Sequence, residues 1–246
     1  SGSAPDLEVE TVEFQKTGLS TYSPYRINDR SLAVFGRNTM VSLQVWSKDY
    51  GYPGDSSYRE FHKQQPGSGM KYWRVTNRQS ELNSKLVYDC ELAREKVKEH
   101  ARHFMDTVAA VAGEANKLGF SEPLIVACYD TELFGHWWWE GVDWLGELMR
   151  LMAVRENWRV VLPGMVLKEM EDLPQARLLE SSWGAGGKHF GWFNQETSWM
   201  WETIEKAREE LKSINDLTGT DPVARARAQA VKELMLMESS DWFFMV

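Results

Sequence analysis

The sequence predicts an α/β architecture up to about residue 175 and an all-helical part after it. One helical pattern runs from Asp89 to Lys117, and apolar segments at 123–130 and 158–164 flank a second helical pattern. Helices that alternate with unbroken apolar strands are typical of a parallel sheet. Beyond residue 175 the apolar segments stop and only helical patterns remain.

The chain opens with residues 1–30, a lead-in without periodicity that begins with the Ser-Gly-Ser of an expression scar. Residues 32–47 predict a short strand, a turn around Gly36 and then a helical turn. Residues 48–76 are rich in Gly, Pro, Ser and Tyr, which predicts a loop. Long loops inside compact domains tend to be functional.

The first long helix is predicted from a single apolar stripe, with Gly119 as its stop. The stripe contains Val97, Ala101, Phe104, Val108 and Val111. "PLIVACYD" at 123–130 then predicts a strand that is buried on both faces. A second helix is predicted over 134–153, and "WRVVLPG" at 158–164 predicts another buried strand with a short helix behind it.

The part after residue 175 is predicted to contain amphipathic helices. The first begins at an Asn194 cap and carries a stripe of Trp201, Ile204, Ala207 and Leu211. The next has Asp221 as its cap and Pro222 at the first helical position. We therefore predict a lead-in at 1–30, an α/β part at 31–175 and a helical part at 176–246 that is cut short.

The composition excludes several classes of partner. The 246 residues carry a formal charge of −8, which argues against nucleic acid or an anionic membrane. No apolar run could span a bilayer, and no signal peptide opens the chain. Cys90 and Cys128 lack metal-type spacing, so we expect reduced, buried thiols in a cytoplasmic protein. Twelve tryptophans exceed what a core needs, and clustered Trp and Tyr are typical of sugar-binding clefts.

The segment "YDTELFGHWWWEG" at 129–141 is the strongest candidate site. Asp130 ends a predicted strand, where the catalytic residues of parallel α/β barrels lie. Glu132, His136 and Glu140 recur at intervals of four and would share one side of the following helix. For Glu132 and Glu140 we favour a structural role at a helix start, since acids are stabilised there. For Asp130 and His136, which adjoin three tryptophans, we favour a functional role.

Other chemistries find little support in the sequence. The acids and histidine of this segment lack the order of a zinc motif, so we predict no metal site. "GAGGKH" at 184–189 has the wrong spacing for a phosphate-binding loop and predicts a flexible connection between Trp183 and Trp192. No cofactor is predicted.

The segment at 129–141 resembles the fourth signature motif of glycoside hydrolase family 57, and its surroundings resemble the 1,4-α-glucan branching enzymes of that family. The likeness extends in order through "VFGRNTMVSLQVWS", "YGYPGDSSYREF", "YWRVT", "SSWGAGGKHFGWFN" and "ESSDW". This resemblance implies an incomplete (β/α)7 barrel followed by a helical C-terminal domain. The chain would then contain the second half of the barrel and part of the helical domain.

The resemblance also implies a retaining mechanism on an α-1,4-glucan such as amylose or glycogen, with Asp130 as the general acid/base. Two carboxyl groups about 5–5.5 Å apart would flank the scissile bond. The substrate-binding residues that it implies are the tryptophans Trp46, Trp183 and Trp192, the pair His136 and Trp137, the pair Asp241 and Trp242, and Arg37.

The sequence departs from the family pattern in several places. The family's nucleophilic glutamate and first motifs have no counterpart, since Glu122 in "SEPLIV" precedes a strand and is in the wrong place. Asn38 replaces a common acid, Trp139 a common Phe and Ala185 a common Glu. We expect a companion chain or a natural split to supply the missing half barrel and nucleophile. Self-pairing and an excerpted sequence are the alternatives.

Three other functions stay open at this point. An α-amylase or a 4-α-glucanotransferase of the same family would use the same residues. A non-catalytic glucan-binding subunit would keep the cleft without catalysis. A plain α/β protein whose tryptophans only pack the core would not bind glucan.

Overall fold

The computed structural model describes residues 19–27, 31–47, 50–170, 172–213 and 221–246. The chain divides into two compact units between Arg177 and Leu178. The first unit, 17–177, contains the candidate acid Asp130, and the second contains 178–246. Most of the predicted lead-in, 1–18 and 28–30, lies outside the described residues.

The first unit combines a small sheet with four α-helices among its described residues. In chain order the elements are β1 (Tyr25–Ile27), β2 (Ala33–Val34), α1 (Thr39–Trp46), α2 (Cys90–Lys117), α3 (Gly141–Ala153), α4 (Pro163–Glu169) and β3 (Gln175–Ala176). Single 3-10 turns lie at Tyr52–Gly54, Leu82–Ser84 and Thr131–Leu133. Strand β1 pairs antiparallel with β2 and parallel with β3.

The predicted strand, turn and helix within 32–47 are confirmed as β2 and α1. Asn38 caps α1, since its Oδ1 accepts a hydrogen bond from the Val41 N–H at 3.2 Å. The loop predicted over 48–76 is also confirmed in its described part, apart from the 3-10 turn and isolated bridges.

Helix α2 confirms the longest sequence prediction. The Asp89 side chain accepts hydrogen bonds from the Glu91 and Leu92 N–H groups and caps the helix. The buried residues of its stripe are Ala93, Val97, Ala101, Phe104, Met105, Val111 and Ala115. Gly119 follows with φ +94°, the left-handed conformation that ends many helices. Most of this stripe packs with Trp144 and Leu148 of α3 in the core of the unit, which also includes Val41, Tyr58 and Trp138.

The two predicted buried strands are wrong for this chain. Residues 121–130 and 157–162 contain no strand; Ala127 and Cys128 are exposed, and so are Val160 and Leu162. Within the described residues, 123–130 makes only two inter-segment backbone hydrogen bonds, to Tyr22 and Asn38. A strand needs a hydrogen-bonded neighbour, which this segment lacks. The short helix predicted behind 158–164 is confirmed as α4.

The helix predicted over 134–153 begins only at Gly141. Gly135 adopts φ +92°, a conformation that interrupts a helix, and the chain folds back on itself before α3 starts. The prediction that Glu132, His136 and Glu140 share one helical side is therefore wrong. The predicted burial of Cys90 and Cys128 is also wrong, because Cys90 opens α2 on its exposed side and Cys128 lies in the unpaired segment.

The second unit contains the helices α5 (Ser198–Lys212), α6 (Pro222–Met237) and α7 (Ser240–Phe244). The helix predicted to begin at Asn194 starts four residues later, since the Asn194 side chain instead closes a turn by accepting from the Glu196 and Thr197 N–H groups. Asp221 caps α6 as predicted. Helices α5 and α6 are linked by the ion pair between Arg208 and Glu238, 2.7 Å apart. Among the described residues, no helix combines the length and apolarity needed to cross a membrane.

Candidate active site

Asp130 lies where an anchored segment turns into the tryptophan-rich loop. The preceding Tyr129 donates its hydroxyl to the Val41 carbonyl at 3.0 Å, and burial raises the pKa of Tyr129, so the hydroxyl stays protonated. The Asp130 carbonyl accepts from the Leu133 N–H at 3.2 Å and opens a 3-10 turn. Its carboxyl group is exposed and makes no capping hydrogen bond within the described residues. The backbone at Asp130 is therefore anchored, while its carboxyl group is open to a solute.

The three consecutive tryptophans have different environments. Gly135 donates to the Trp138 carbonyl at 2.8 Å, and Trp138 donates to the Leu133 carbonyl at 2.8 Å, which closes a tight loop. This loop directs Trp138 into the core, where it is 1% exposed and packs 5.3 Å from the Trp144 ring. Trp137 and Trp139 remain 47% and 55% exposed. The middle ring thus anchors the loop and the outer two are available for contact.

His136 and Trp137 lie in a small aromatic cluster with Phe61. The two rings meet edge to face at 5.4 Å. Phe61, from the loop over 50–76, packs 4.3 Å from the Trp137 ring and 5.4 Å from the His136 ring. The Lys71 Nζ sits over Phe61 at 3.9 Å from its ring centre.

Glu140 has the structural role that the sequence favours for it. It is 2% exposed, and its Oε1 accepts a hydrogen bond from the Arg59 N–H at 3.0 Å. Burial raises the pKa of the Glu140 carboxyl, because the charged form is poorly solvated there. Glu132 is exposed, and its carbonyl accepts from the Trp137 N–H at 3.5 Å.

Arg37 and Trp46 lie at opposite ends of α1. The Asn38 N–H donates to the Val126 carbonyl at 2.8 Å, which ties the start of the helix to the segment that leads to Asp130. Arg37 is exposed beside this tie, and its positive charge acts on Tyr129. Trp46 is the last residue of α1 and is 41% exposed. The structure thus associates Arg37 with the Asp130 segment and leaves Trp46 on a surface one helix length away.

The second unit carries its own aromatic cluster, formed by Trp183, Trp192 and Phe244. Trp183 meets Trp192 edge to face at 4.7 Å and Phe244 at 5.2 Å. Trp183 is 75% exposed, although its neighbours hold it. Gly184 makes this approach possible, because a Cβ there would lie 2.6 Å from the Lys188 carbonyl oxygen and 3.0 Å from the Trp192 ring.

Asp241 and Trp242 lie on the short helix α7, which ends at Phe244 of this cluster. Asp241 accepts a hydrogen bond from the Ser239 hydroxyl at 3.1 Å, and the Trp242 indole donates to the Leu236 carbonyl at 2.9 Å. Both side chains are exposed. Phe243 points the other way and stacks on Trp201 at 4.5 Å.

Comparison with known proteins identifies the relatives of this chain. No protein-family model matches it. A 1,4-alpha-glucan branching enzyme of Thermococcus kodakarensis is 42% identical over 241 residues, which is 97% of this chain. The crystal structure of a glycoside hydrolase family 57 branching enzyme from the same organism superposes with a TM-score of 0.80, at 42% identity over 92% of the chain. The chain is a homologue of the family 57 branching enzymes.

This family 57 homologue spans only part of its relatives. It covers 35% of the length of the Thermococcus enzyme and matches the C-terminal part of it. A probable 1,4-alpha-glucan branching enzyme of Mycobacterium tuberculosis is 33% identical over 89% of this chain, which covers 43% of that protein. An alpha-amylase of Thermotoga maritima has a related structure, with a TM-score of 0.71 and 32% identity, and the chain covers 46% of it.

The residues of the 50–76 loop that lie around the exposed tryptophans were not predicted from the sequence. Phe61 contacts the Trp137 ring and Arg59 contacts the Trp139 ring, whereas Lys71 lies over Phe61. The available signal was the dense alternation of aromatic and basic residues in "YREFHK" within a long loop. Which ring each would meet depends on tertiary packing between segments about 75 residues apart.

Proposed function

We propose that this chain supplies the general acid/base part of the active site of a 1,4-α-glucan branching enzyme, with Asp130 as that group. The main support is the 42% identity to a branching enzyme over 97% of the chain. The exposed carboxyl group of Asp130, followed within the same motif by the exposed His136 and Trp137, agrees with such a role.

In the proposed retaining reaction, Asp130 acts twice. Its protonated carboxyl group first gives a proton to the glycosidic oxygen while a second carboxylate attacks the anomeric carbon and the leaving glucan departs. The Asp130 carboxylate then removes the proton of the 6-hydroxyl of an acceptor glucan. That oxygen attacks the anomeric carbon, forms the α-1,6 bond and releases the nucleophile. We propose that the nucleophile comes from the part of the enzyme that this chain does not span.

The exposed aromatic residues would bind the glucan chains in this scheme. His136 and Trp137 would line the subsite next to the reacting sugar, and Arg37 would contact substrate beside the Asp130 segment. In the second unit, Trp183 and Trp192 would form a stacking surface, with Asp241 and Trp242 close to it in sequence. Trp46 would provide a further stacking position. Rings that bind the acceptor also keep water from the intermediate, which favours transfer over hydrolysis.

We further propose that 123–130 and 158–162 become strands of an incomplete (β/α)7 barrel when the rest of the enzyme is present, with 176–246 forming part of its helical domain. Their apolar composition and their exposed Val160 and Leu162 support this. The missing half would come from a companion chain or a further segment, and the assembled protein would work in the cytoplasm.

The test combines this chain with the part of the Thermococcus branching enzyme that lies outside the match. Iodine absorbance of amylose and the count of isoamylase-sensitive branches report branching. We expect Asp130→Asn to lower the branching rate at least about 100-fold while glucan binding persists, because the proton donor is lost. Asp143→Asn, an exposed acid in the first turn of α3, is the matched control. Full branching activity in Asp130→Asn would refute the assigned role.

An α-amylase activity is the second candidate, supported by the structural similarity to the Thermotoga enzyme. Hydrolysis raises the number of reducing ends, whereas branching leaves it unchanged. A 4-α-glucanotransferase would change chain lengths without adding branches. Glucan binding with no turnover in the combined sample would indicate a binding subunit instead.

A further inference from the structure

The exposed Trp139 and the half-buried Arg59 form a pair for which the proposed reaction has no role. The Arg59 guanidinium carbon lies 4.3 Å from the Trp139 ring centre, which is a cation–π contact. Trp139 is 55% exposed even with this partner in place.

Buried contacts hold this pair in position. Oε1 of Glu140, whose residue is 2% exposed, accepts from the Arg59 backbone N–H at 3.0 Å, and the Arg59 Nε donates to the Lys71 carbonyl at 3.3 Å. The ring of Trp138, next to Trp139 in the chain, is buried 5.6 Å from the Tyr58 ring. The pair is thus presented by two segments whose neighbouring residues are locked into the core, and it loses little flexibility on binding.

The chemistry of the pair fits one ligand class. An aromatic ring offers an apolar face to the C–H groups of a pyranose, and a guanidinium offers several N–H donors to its hydroxyls. Among the hydrogen bonds of the described residues, the Arg59 guanidinium uses only its Nε, so its two terminal nitrogens can donate to a sugar.

We propose that Trp139 and Arg59 form an additional binding site for one glucose unit of an α-glucan, in which Trp139 stacks on the sugar and Arg59 positions the ring and donates to hydroxyls. This inference rests on the proposed function for its choice of glucan. It differs from that function in assigning binding to a residue pair outside the predicted set of substrate contacts.

A site-resolved titration tests the proposal. The full chain, labelled with ¹⁵N at its tryptophan indoles, is titrated with maltoheptaose, and the Trp139 signal is assigned with Trp139→Phe. We expect a saturable shift of the Trp139 indole resonance. Arg59→Gln, which keeps the backbone bond to Glu140, should raise the dissociation constant reported by that signal about fivefold, the size expected for one cation–π or stacking contact.

Controls separate this proposal from the proposed function. The indole of Trp199, an exposed residue of α5, should stay unshifted, and Arg94→Gln in α2 should leave the dissociation constant unchanged. Equal melting temperatures of Arg59→Gln and the parent chain exclude loss of fold as the cause. Two results would overturn this site and leave the proposed function standing. One is a shift at Trp137 or Trp183 with none at Trp139. The other is a dissociation constant, reported by the Trp139 signal, that does not change in Arg59→Gln. If no indole responds to maltoheptaose, the Trp139 site fails, whereas the proposed function is decided separately by the branching assay of the combined sample.

Discussion

At the scale of single residues, adjacent tryptophans differ in burial in this protein. Trp138 is enclosed by Tyr58, Phe134 and Trp144, whereas the rings on either side of it are about half exposed. The cause is the tight loop closed through Gly135, which turns one side chain in three toward the core. The buried indole N–H of Trp138 has no hydrogen-bond partner among the described residues, so its contribution comes from packing alone.

Alanine substitutions should separate the contribution of these rings to stability from their contribution to glucan binding. Trp138→Ala is expected to lower the free energy of unfolding by about 3–5 kcal/mol, because it leaves a large cavity in the core. Trp137→Ala should cost less than about 1.5 kcal/mol, since its ring is 47% exposed, and should weaken maltoheptaose binding instead. Urea denaturation and calorimetry measure the two effects. Equal losses of stability in the two variants would contradict the assigned environments.

At the scale of elements, helix α2 supports the loop at 50–58 through His100. The His100 ring stacks on Tyr52 at 4.4 Å, and its Nδ1 shares a hydrogen bond with the Tyr58 hydroxyl at 2.9 Å. Burial lowers the pKa of His100 to about 4, although Asp55, 3.7 Å from Nε2, opposes this shift. The helix thus holds a neutral imidazole against the loop at neutral pH.

This arrangement predicts a pH dependence of stability. In the unfolded chain His100 has an ordinary pKa of 6.5 and binds a proton as the pH falls below that value, whereas the folded protein resists protonation down to about pH 4. The free energy of unfolding should therefore fall between pH 6.5 and 4, with no contribution from His100 above about pH 7. His100→Gln cannot titrate and should show a smaller loss between pH 7.5 and 5 in urea denaturation. An identical pH slope in the variant would disprove this role.

The elements also differ in how far local sequence determines them. Helix α2 was predictable because its cap at Asp89, its apolar stripe and its terminal glycine are all local signals. The segment 123–130 has the composition of a buried strand, but strand formation depends on neighbours that supply hydrogen bonds. Helix α3 started late because the position of a single left-handed glycine, Gly135, is not visible in hydrophobic periodicity.

At the scale of the whole molecule, two observations lead us to expect that a further chain or segment packs against this one. They are the exposed apolar segments and the 35% coverage of the Thermococcus relative. Val160 and Leu162 are 64% and 69% exposed, which is costly for apolar side chains in water. Such segments also expose backbone groups that can pair with another strand. A partner chain or segment that supplies a neighbouring strand would cover the apolar side chains and pair with the backbone groups.

An exposed valine can test this expectation. Val160→Asp should leave the stability of this chain within about 0.5 kcal/mol of the parent, because the side chain is on the surface. The same change should abolish the branching activity of the sample combined with the remaining part of the Thermococcus enzyme, since a charge would enter a buried sheet. Val154→Asp, at the end of α3 and 79% exposed, is the matched control and should keep its activity. Unimpaired activity in Val160→Asp would rule out a strand at this place.

The sequence by itself determined the long helix α2, the cap at Asp221 and the position of the motif at 129–141 that carries Asp130, His136 and Trp137, because each depends on residues close together in the chain. Only the tertiary structure decided that Trp138 is core, that Phe61 and Lys71 join His136 and Trp137, and that Arg59 covers Trp139. Those contacts join segments far apart in sequence, and burial depends on what packs against a ring rather than on the ring itself.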